Sequence, residues 1–248
     1  MLKLDITKAF DTVNWAFLVQ IVRAMGFGTR WINWVCGLLG SSSMRILVNG
    51  LPGRPIFNCC GLRQGGPLSL MLFILVMEPL HRMVELASSR GIMAPLARGG
   101  LRHRISMFMV DAMLFIKPNN LDLQATSFIL DLFGRASRLR VNLSKSEALL
   151  IQCDEQTMQR VTAMLGCLIG SYPCEYLGLP LMIRKQTAAQ LMSIMDCVAK
   201  RLPRWRAASV PKSGRLLLVK DVLCAIPIHA MMALDIPQKV ISPMKKNL

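Results

Sequence analysis

Residues 105–116 read Ile-Ser-Met-Phe-Met-Val-Asp-Ala-Met-Leu-Phe-Ile, two short apolar runs that meet at Asp111. Short apolar runs on either side of a turn residue predict a β-hairpin, with Asp111 near its tip. A single aspartate commonly marks a turn for backbone reasons, and this ordinary role is favoured when the segment is taken alone. A chemical role for the carboxylate depends on what other segments of the chain contribute.

Three other segments favour the chemical role. Residues 2–11, Leu-Lys-Leu-Asp-Ile-Thr-Lys-Ala-Phe-Asp, form a β-type run that carries Asp5 and passes into a helical start near Asp11. Residues 61–69, Gly-Leu-Arg-Gln-Gly-Gly-Pro-Leu-Ser, form a turn-rich segment before an apolar helix, with a proline at a plausible first helical position. Residues 176–181 read Tyr-Leu-Gly-Leu-Pro-Leu.

These motifs occur in the order of the palm motifs of a reverse transcriptase. The chain resembles the LINE-type (non-LTR) retrotransposon family, most closely the copies common in plant genomes, and the resemblance extends over nearly all of the chain. Several linked motifs in one order are far more specific than any one of them. The resemblance implies an α+β fold, a polymerase palm of β-α-β-β-α-β order with additions, followed by a partial helical thumb.

By resemblance the chain is an RNA-directed DNA polymerase by descent. Its partners would be an RNA template, a DNA primer and deoxynucleoside triphosphates. Nucleotidyl transfer of this kind uses two Mg²⁺ ions about 3.5–4 Å apart, held by carboxylates and substrate phosphates. The resemblance implies that Asp5, the carbonyl of Ile6 and Asp111 are metal ligands.

Further roles follow from the same resemblance. Phe10, Arg63, Gln64 and Gly65 would contact the incoming nucleotide or the template. Phe10 has an alternative role as a core residue, and Arg63 alone would be only a surface cation. Lys145, in Val-Asn-Leu-Ser-Lys-Ser at 141–146, would protonate the departing pyrophosphate. A solvated lysine in a polar turn is an equally good interpretation of that pattern.

The hairpin is where the chain departs from the family pattern, which is an aromatic residue, a small residue and two adjacent aspartates. Phe108 and Met109 take the first two places, Val110 replaces the first aspartate, and Asp111 keeps the second. Valine has nearly the shape of aspartate but offers no oxygen. We therefore expect the hairpin to form and the principal metal ligand to be lost, which removes several kcal/mol of transition-state stabilisation.

Composition and charge favour a folded protein with a polyanionic partner. Apolar residues make up 53% of the chain, which argues against disorder, and the apolar stretches are too short to span a bilayer. We expect neither a signal peptide nor a membrane partner. The net charge is +16, which suits nucleic acid, although a merely basic surface is the alternative. Nine basic residues lie between 184 and 220 with only one acid, and we expect them to bind nucleic acid: Arg184, Lys185, Lys200, Arg201, Arg204, Arg206, Lys212, Arg215 and Lys220.

The cysteines and histidines show no metal-binding pattern in the linear sequence. None of the eight cysteines forms a CxxC pair, and there are only three histidines, so the spacing of a zinc site is absent. Reduced thiols in an intracellular protein, nuclear by resemblance, are expected, with no disulfide-linked partner.

The pattern predicts a palm with an inserted hairpin over residues 1–168 and a primer-grip-like segment with a partial thumb over 169–248. The expected helices are two within 12–40, one from 67 to about 87, and those at 121–138, 154–165, 186–202 and 212–225. The expected strands are 44–48 and 56–60 around a loop at 49–53, then 148–152 and a strand pair within 172–181.

Since Met1 lies four residues before Asp5, we expect the fingers to be largely missing. Together with Val110, this predicts a truncated and degenerate copy that is inactive as written. The alternatives are a protein that binds nucleic acid without catalysis, and a structural or interaction remnant.

Overall fold

The computed structural model describes residues 1–96, 103–108 and 111–183, together with Pro211 and Met232. The chain divides into two units, Met1–Ser171 and Tyr172–Leu248. The boundary expected from the sequence follows residue 168. The expected helices 186–202 and 212–225 lie outside the described residues.

The first unit contains six helices and nine strands among the residues described. The helices are α1 (Ala9–Thr12), α2 (Trp15–Ala24), α3 (Thr29–Gly40), α4 (Pro67–Ser89), α5 (Asn120–Ser137) and α6 (Glu155–Leu165). The strands are β1 (Leu2–Leu4), β2 (Ser43–Met44), β3 (Leu47–Val48), β4 (Leu51–Pro52), β5 (Ile56–Phe57), β6 (Ile105–Phe108), β7 (Asp111–Leu114), β8 (Glu147–Leu149) and β9 (Leu168–Gly170). In the second unit, β10 (Cys174–Tyr176) and β11 (Leu179–Leu181) form an antiparallel pair.

The strand β1 is the centre of a five-stranded sheet with the order β6-β7-β1-β8-β9. It pairs antiparallel with β7 on one side and with β8 on the other, and β8 pairs parallel with β9. In chain order the main elements are β1, α4, β6, β7, α5 and β8, which is the β-α-β-β-α-β order. The expected α+β palm is therefore confirmed, with α1–α3 and β2–β5 as additions.

Alternation along β1 separates an apolar face of the sheet from a polar one. Leu2 lies opposite Leu114 and Leu4 opposite Ala112, and all four are buried. They belong to one core with the apolar side chains of α4 and α5, which includes the fully buried Phe73. Burying one such large side chain stabilises the fold by about 1.5–3 kcal/mol. Residues between these positions point to the other face.

The helices agree closely with the pattern in the sequence, and side-chain caps define several of their starts. The expected break within 12–40 separates α2 from α3, and Asn14 caps α2 by accepting from the backbone N–H of Ala16 at 2.9 Å. Asn119 and Asp154 cap α5 and α6 in the same way. The hydrogen bond from Thr157 lowers the pKa of Asp154. Within the described residues, no helix is long and apolar enough to cross a membrane.

The inserted hairpin differs from the expectation in its turn. The loop was expected at 49–53, but β3 pairs with β4 around only two residues, Asn49 and Gly50. Their φ angles of 51° and 81° are those of a type I′ turn, which favours Asn-Gly. Leu51 and Pro52 are therefore strand residues, and the strand expected at 56–60 ends at Phe57.

The strand expected at 148–152 was also wrong in its bounds. It is observed at Glu147–Leu149. The pairing with β1 sets the bounds of this strand, because Lys3 lies opposite Glu147 and Leu2 lies opposite Ala148. The backbone N–H of Leu149 then donates to the Met1 carbonyl at 2.7 Å, so β1 provides no partner for the residues that follow.

A buried ion pair joins α4, β6 and α5. Arg104 is 4% exposed and Asp122 is 0% exposed, and their Nη1 and Oδ2 atoms are 3.6 Å apart. The Nε of Arg104 donates to Ser88 Oγ at 2.6 Å, near the end of α4, and its Nη2 donates to the Ala94 carbonyl. Asp122 accepts from the Ala94 N–H at 2.9 Å, so the pair also fixes the chain after α4.

We expect Asp122→Ala to lower the free energy of unfolding by about 3–5 kcal/mol, because Arg104 is left as an uncompensated buried charge. Urea titration followed by circular dichroism measures the change. The matched control is Asp131→Ala on the same helix, where Asp131 and Arg135 form an exposed pair at 3.0 Å. The control should change stability by no more than about 0.5 kcal/mol. Equal effects of the two substitutions would contradict the role of the buried pair.

Candidate active site

The register of β1 and β7 brings two carboxylates together. Leu4 lies opposite Ala112, and continuing this register places Asp5 opposite Asp111, the first residue of β7. Directly opposed side chains of an antiparallel pair share one face of the sheet. Six of the residues predicted from the sequence line one open pocket at this face: Asp5, Ile6, Phe10, Gln64, Asp111 and Lys145.

The backbone after β1 is hydrogen-bonded to residues 140–142, and this pairing determines the direction of the Ile6 carbonyl. The N–H of Asn142 donates to the Asp5 carbonyl at 2.7 Å, and the N–H of Thr7 donates to the Arg140 carbonyl at 3.1 Å. Ile6, which pairs with Val141, makes neither bond. In an antiparallel pair the residue between two such bonds points its own N–H and C=O away from the partner. The Ile6 carbonyl therefore points toward the β7 side.

A buried serine connects Asp5 to the turn that carries Lys145. The Oγ of Ser146 accepts from the Asp5 N–H at 3.1 Å and donates to the Asn142 carbonyl at 2.8 Å. The Lys145 N–H donates to the same carbonyl at 3.1 Å. These bonds hold the Lys145 turn against the end of β1. The role of Ser146 was missed from the sequence, although its position four residues after an Asn is a pattern of local backbone bonding.

The segment after β5 is clamped onto α1 by backbone bonds. The N–H of Gly61 donates to the Val13 carbonyl at 2.8 Å, and the N–H of Leu62 donates to the Phe10 carbonyl at 2.6 Å. The indole Nε1 of Trp15 donates to the Gly61 carbonyl at 2.6 Å. A Cβ on Gly61 would lie 2.6 Å from a backbone oxygen of α1, so only glycine allows this approach.

This clamp places Gln64 and Phe10 at the pocket. The Gln64 Nε2 donates to Asp11 Oδ1 at 3.2 Å. Phe10 is half-buried and stacks on Phe73, with ring centroids 4.7 Å apart. Phe10 therefore belongs to the core and to the pocket wall at once, so the two interpretations of this residue are compatible.

Two predicted residues do not line this pocket. Arg63 is exposed and lines a neighbouring pocket that Val35 and Leu72 also line. Gly65 lines neither pocket; its φ is 79°, and a Cβ added there would meet no described atom within 4 Å. Their assignment to the nucleotide or the template stays a prediction.

The structure adds residues that the sequence had not singled out. Glu147, the first residue of β8, and Lys8 both line the pocket of Asp5 and Asp111. Lys8 has a left-handed backbone with φ of 45°, which is uncommon for a residue with a side chain and clusters at functional sites. Proximity to known motifs was the available signal, since Glu147 follows the Lys145 turn and Lys8 lies between Asp5 and Phe10.

Two sets of predicted residues lie outside the described part of the chain. One is Val110, the position of the lost ligand. The other is the basic segment between residues 184 and 220, with all nine of its predicted contacts.

A model of the family described as reverse transcriptase (RNA-dependent DNA polymerase) matches residues 1–181. The chain belongs to the reverse transcriptase family. The prediction of a reverse transcriptase domain from a LINE-type element is confirmed, while the closer likeness to plant copies stays a prediction. The family implies a nucleic-acid template and primer and nucleotide substrates.

Curated relatives of this reverse transcriptase domain come from transposable elements. A Transposon TX1 uncharacterized 149 kDa protein of Xenopus laevis is 26% identical over 250 residues, which is 100% of this chain and 19% of that protein. A Pol polyprotein from the type-1 retrotransposable element R2 of Popillia japonica is 27% identical over 154 residues, covering 61% of this chain and 21% of that protein. The chain thus spans about a fifth of the length of these relatives.

The reverse transcriptase family generally uses divalent metal ions, and the pocket offers donors of the right chemistry. Mg²⁺ takes oxygen ligands. The carboxylates of Asp5, Asp111 and Glu147 and the carbonyl of Ile6 are oxygen donors at one pocket. The residues present therefore fit Mg²⁺, although Val110 supplies no oxygen where the family pattern has a carboxylate.

Cys60, next to the Gly61 clamp, does not offer a reactive thiol. Burial raises the pKa of the Cys60 thiol, and the adjacent Cys59 raises that pKa further. The Sγ of Cys60 donates to the Asp11 carbonyl at 3.6 Å. A thiol held in its protonated form is a poor nucleophile, so nucleophilic catalysis by Cys60 is not indicated.

We expect Gly61→Ala to destabilise the reverse transcriptase domain more than Gly65→Ala. Both glycines have a positive φ, which costs a residue with a side chain about 1–2 kcal/mol. Only Gly61 meets backbone atoms of Asp11, and that clash should add about 1–3 kcal/mol. Urea unfolding of the two variants measures the difference. Indistinguishable midpoints and slopes would show that the Gly61 clamp is not needed.

Proposed function

We propose that this pocket is the polymerase site of a LINE-type reverse transcriptase, which adds deoxynucleotides to a primer on an RNA template, and that this copy is inactive as written. The observation that carries the proposal is the β1–β7 register, which places Asp5 opposite Asp111 beside Gln64 and Lys145. The nuclear location that the resemblance implies stays a prediction.

The residues of the pocket have separable tasks in this proposal. Bound Mg²⁺ would supply charge neutralisation for the triphosphate and the 3′-hydroxyl. Asp5 and Asp111, fixed on adjacent strands, provide anionic oxygens on one face of the sheet. The ammonium of Lys145 faces the same pocket and donates a proton to the departing pyrophosphate. Lys8 adds a second positive charge that attracts the triphosphate.

Val110 is the reason to expect that catalysis is lost. The family pattern places the principal hairpin carboxylate at this position, and valine cannot replace its oxygens. Removing one well-placed electrostatic group from an active site commonly costs about 100–1,000-fold in rate. Of the carboxylates in the family pattern only Asp5 and Asp111 remain, and Glu147 is the other carboxylate that lines the pocket.

We expect Val110→Asp to raise Mg²⁺ affinity more than it raises incorporation of labelled deoxynucleotide on a primed RNA template, because it restores one carboxylate and no other contact of the site. The unchanged protein should incorporate no more than an Asp5→Ala variant. Calorimetric Mg²⁺ titration and primer extension measure the two effects.

The matched control is Val110→Asp combined with Asp5→Ala, which restores one carboxylate and removes the other. Incorporation by the unchanged protein well above Asp5→Ala would refute the proposed loss of activity. If the Val110→Asp variant binds Mg²⁺ no better than the unchanged protein does, the carboxylates do not form an assembled metal site.

A second candidate function is nucleic-acid binding without catalysis. The net charge of +16 and the nine basic residues between 184 and 220 favour it, because phosphate contacts need only basic side chains and not the metal site. Such binding would tolerate Val110. A structural or interaction remnant would show neither polymerase activity nor nucleic-acid binding.

We expect the affinity for single-stranded RNA to fall with salt with a log–log slope of roughly −3 to −5, if four to six of the basic residues contact phosphates. Replacing Arg201, Arg204 and Arg206 together by Ala should reduce the slope magnitude by about two to three units. Filter binding across salt concentrations measures both.

The matched control removes three charges elsewhere, with Arg23, Arg135 and Arg160 replaced by Ala on exposed positions of α2, α5 and α6. This triple variant should change the slope much less. If both triple variants change the slope equally, the basic segment is not the binding site. The protein then attracts RNA through its net charge alone.

A further inference from the structure

Two of the three histidines meet a glutamate at the far end of α4. His81 and Glu85 lie one turn apart on this helix, and His103 lies just before β6. The His81 Nε2 is 3.6 Å from Glu85 Oε1, and the His103 Nδ1 is 3.5 Å from the same oxygen. One ligand atom from each of the three residues lies within 4.8 Å of the others.

This donor set has the chemistry and spacing of a zinc site. Imidazole nitrogens suit Zn²⁺, and sites with three protein ligands hold a water as the fourth. Metal–ligand distances of about 2.0–2.1 Å place the ligands of a tetrahedral site about 3.3–3.4 Å apart. The two distances to Glu85 Oε1, 3.5 and 3.6 Å, are a few tenths of an ångström longer, and the ligand nitrogens of the two histidines lie within 4.8 Å of each other, so the rings must move closer to bind the metal. We propose that His81, Glu85 and His103 bind Zn²⁺.

Helix α4 positions two of the three proposed ligands, His81 and Glu85, on the same face. Residues four apart on a helix share one face, so His81 and Glu85 need little rearrangement. Their side chains are 21% and 33% exposed, whereas His103 is 68% exposed and its side chain has room to move inward. The two imidazole rings lie at an interplanar angle of 30°, with centroids 6.1 Å apart.

Neighbouring groups direct one glutamate oxygen toward the histidines and limit the affinity. Arg82 lies 3.7 Å from the Oε2 of Glu85, which leaves Oε1 facing the two imidazoles. The Nδ1 of His81 is buried and has no hydrogen-bond partner among the described residues. A metal on Nε2 requires the proton on Nδ1, and lacking an acceptor there weakens a metal site by about 10–100-fold. We therefore expect specific binding of moderate affinity.

This site is distinct from the polymerase pocket. None of its three residues lines the pocket of Asp5, and Mg²⁺ prefers oxygen ligands to imidazole. Zinc at this position would join the end of α4 to the chain leading into β6, immediately before the buried Arg104. Because only the folded chain brings the three residues together, zinc should stabilise the fold.

The test uses the full 248-residue protein with Mg²⁺ in excess, so that the polymerase carboxylates are saturated. Equilibrium dialysis with Zn²⁺ measures stoichiometry and affinity. The visible spectrum with Co²⁺ identifies the ligands, since cysteine ligation produces intense near-ultraviolet charge-transfer bands and His/Glu ligation does not. Thermal unfolding measures stabilisation.

We expect one Zn²⁺ per chain and a rise in Tm at saturating zinc. His103→Ala and Glu85→Gln should each weaken binding by more than about 100-fold, because losing a ligand costs more than losing an outer partner. His103→Ala removes an exposed side chain and should not impair folding. The matched control is His229→Ala, which removes the remaining histidine and should bind as the unchanged protein does.

Three results would overturn the proposal. They are the absence of saturable zinc binding, unchanged affinity in His103→Ala, and a cobalt spectrum with thiolate charge-transfer bands. None of them bears on polymerase activity, so this inference and the proposed function can fail separately.

Discussion

The pairing of β1 on both of its edges is the constraint on which the rest of the structure depends. Because β7 and β8 fix its register from opposite sides, Leu2 and Leu4 are committed to the core, and Lys3 and Asp5 to the open face. A slip of one residue would exchange the two sets and bury the charges. The same bonds that stabilise the sheet therefore also determine where Asp5 lies.

Backbone hydrogen bonds, more than side-chain contacts, assemble the candidate site. Residues 140–142 and Ser146 hold the chain after β1, and the Gly61 segment is bonded to α1. The described bonds of the hairpin involve 105–108 and 111–114, so they do not depend on the chemistry of residue 110. The palm fold therefore does not require an aspartate at position 110.

Helix α4 connects two regions of different metal chemistry. It begins with Pro67, close to Gln64 and the oxygen-rich pocket, and ends near the cluster of two histidines and one glutamate. The first set of donors suits a hard cation such as Mg²⁺, and the second suits a borderline cation such as Zn²⁺. The buried pair of Arg104 and Asp122 fixes the chain between the second region and the β6–β7 hairpin.

The sequence by itself determined the family, the α+β palm and most helices, and it predicted Asp5, Asp111, Gln64 and Lys145 as site residues, because these depend on local periodicity and on linked motifs. It could not place the Asn49-Gly50 turn correctly or the bounds of β8, because strand pairing sets them. Only the tertiary structure showed Glu147 and Lys8 at the pocket and the meeting of His81, Glu85 and His103. Side chains that are distant in the chain become neighbours through strand register and helix packing. Spacing along the sequence does not predict these contacts.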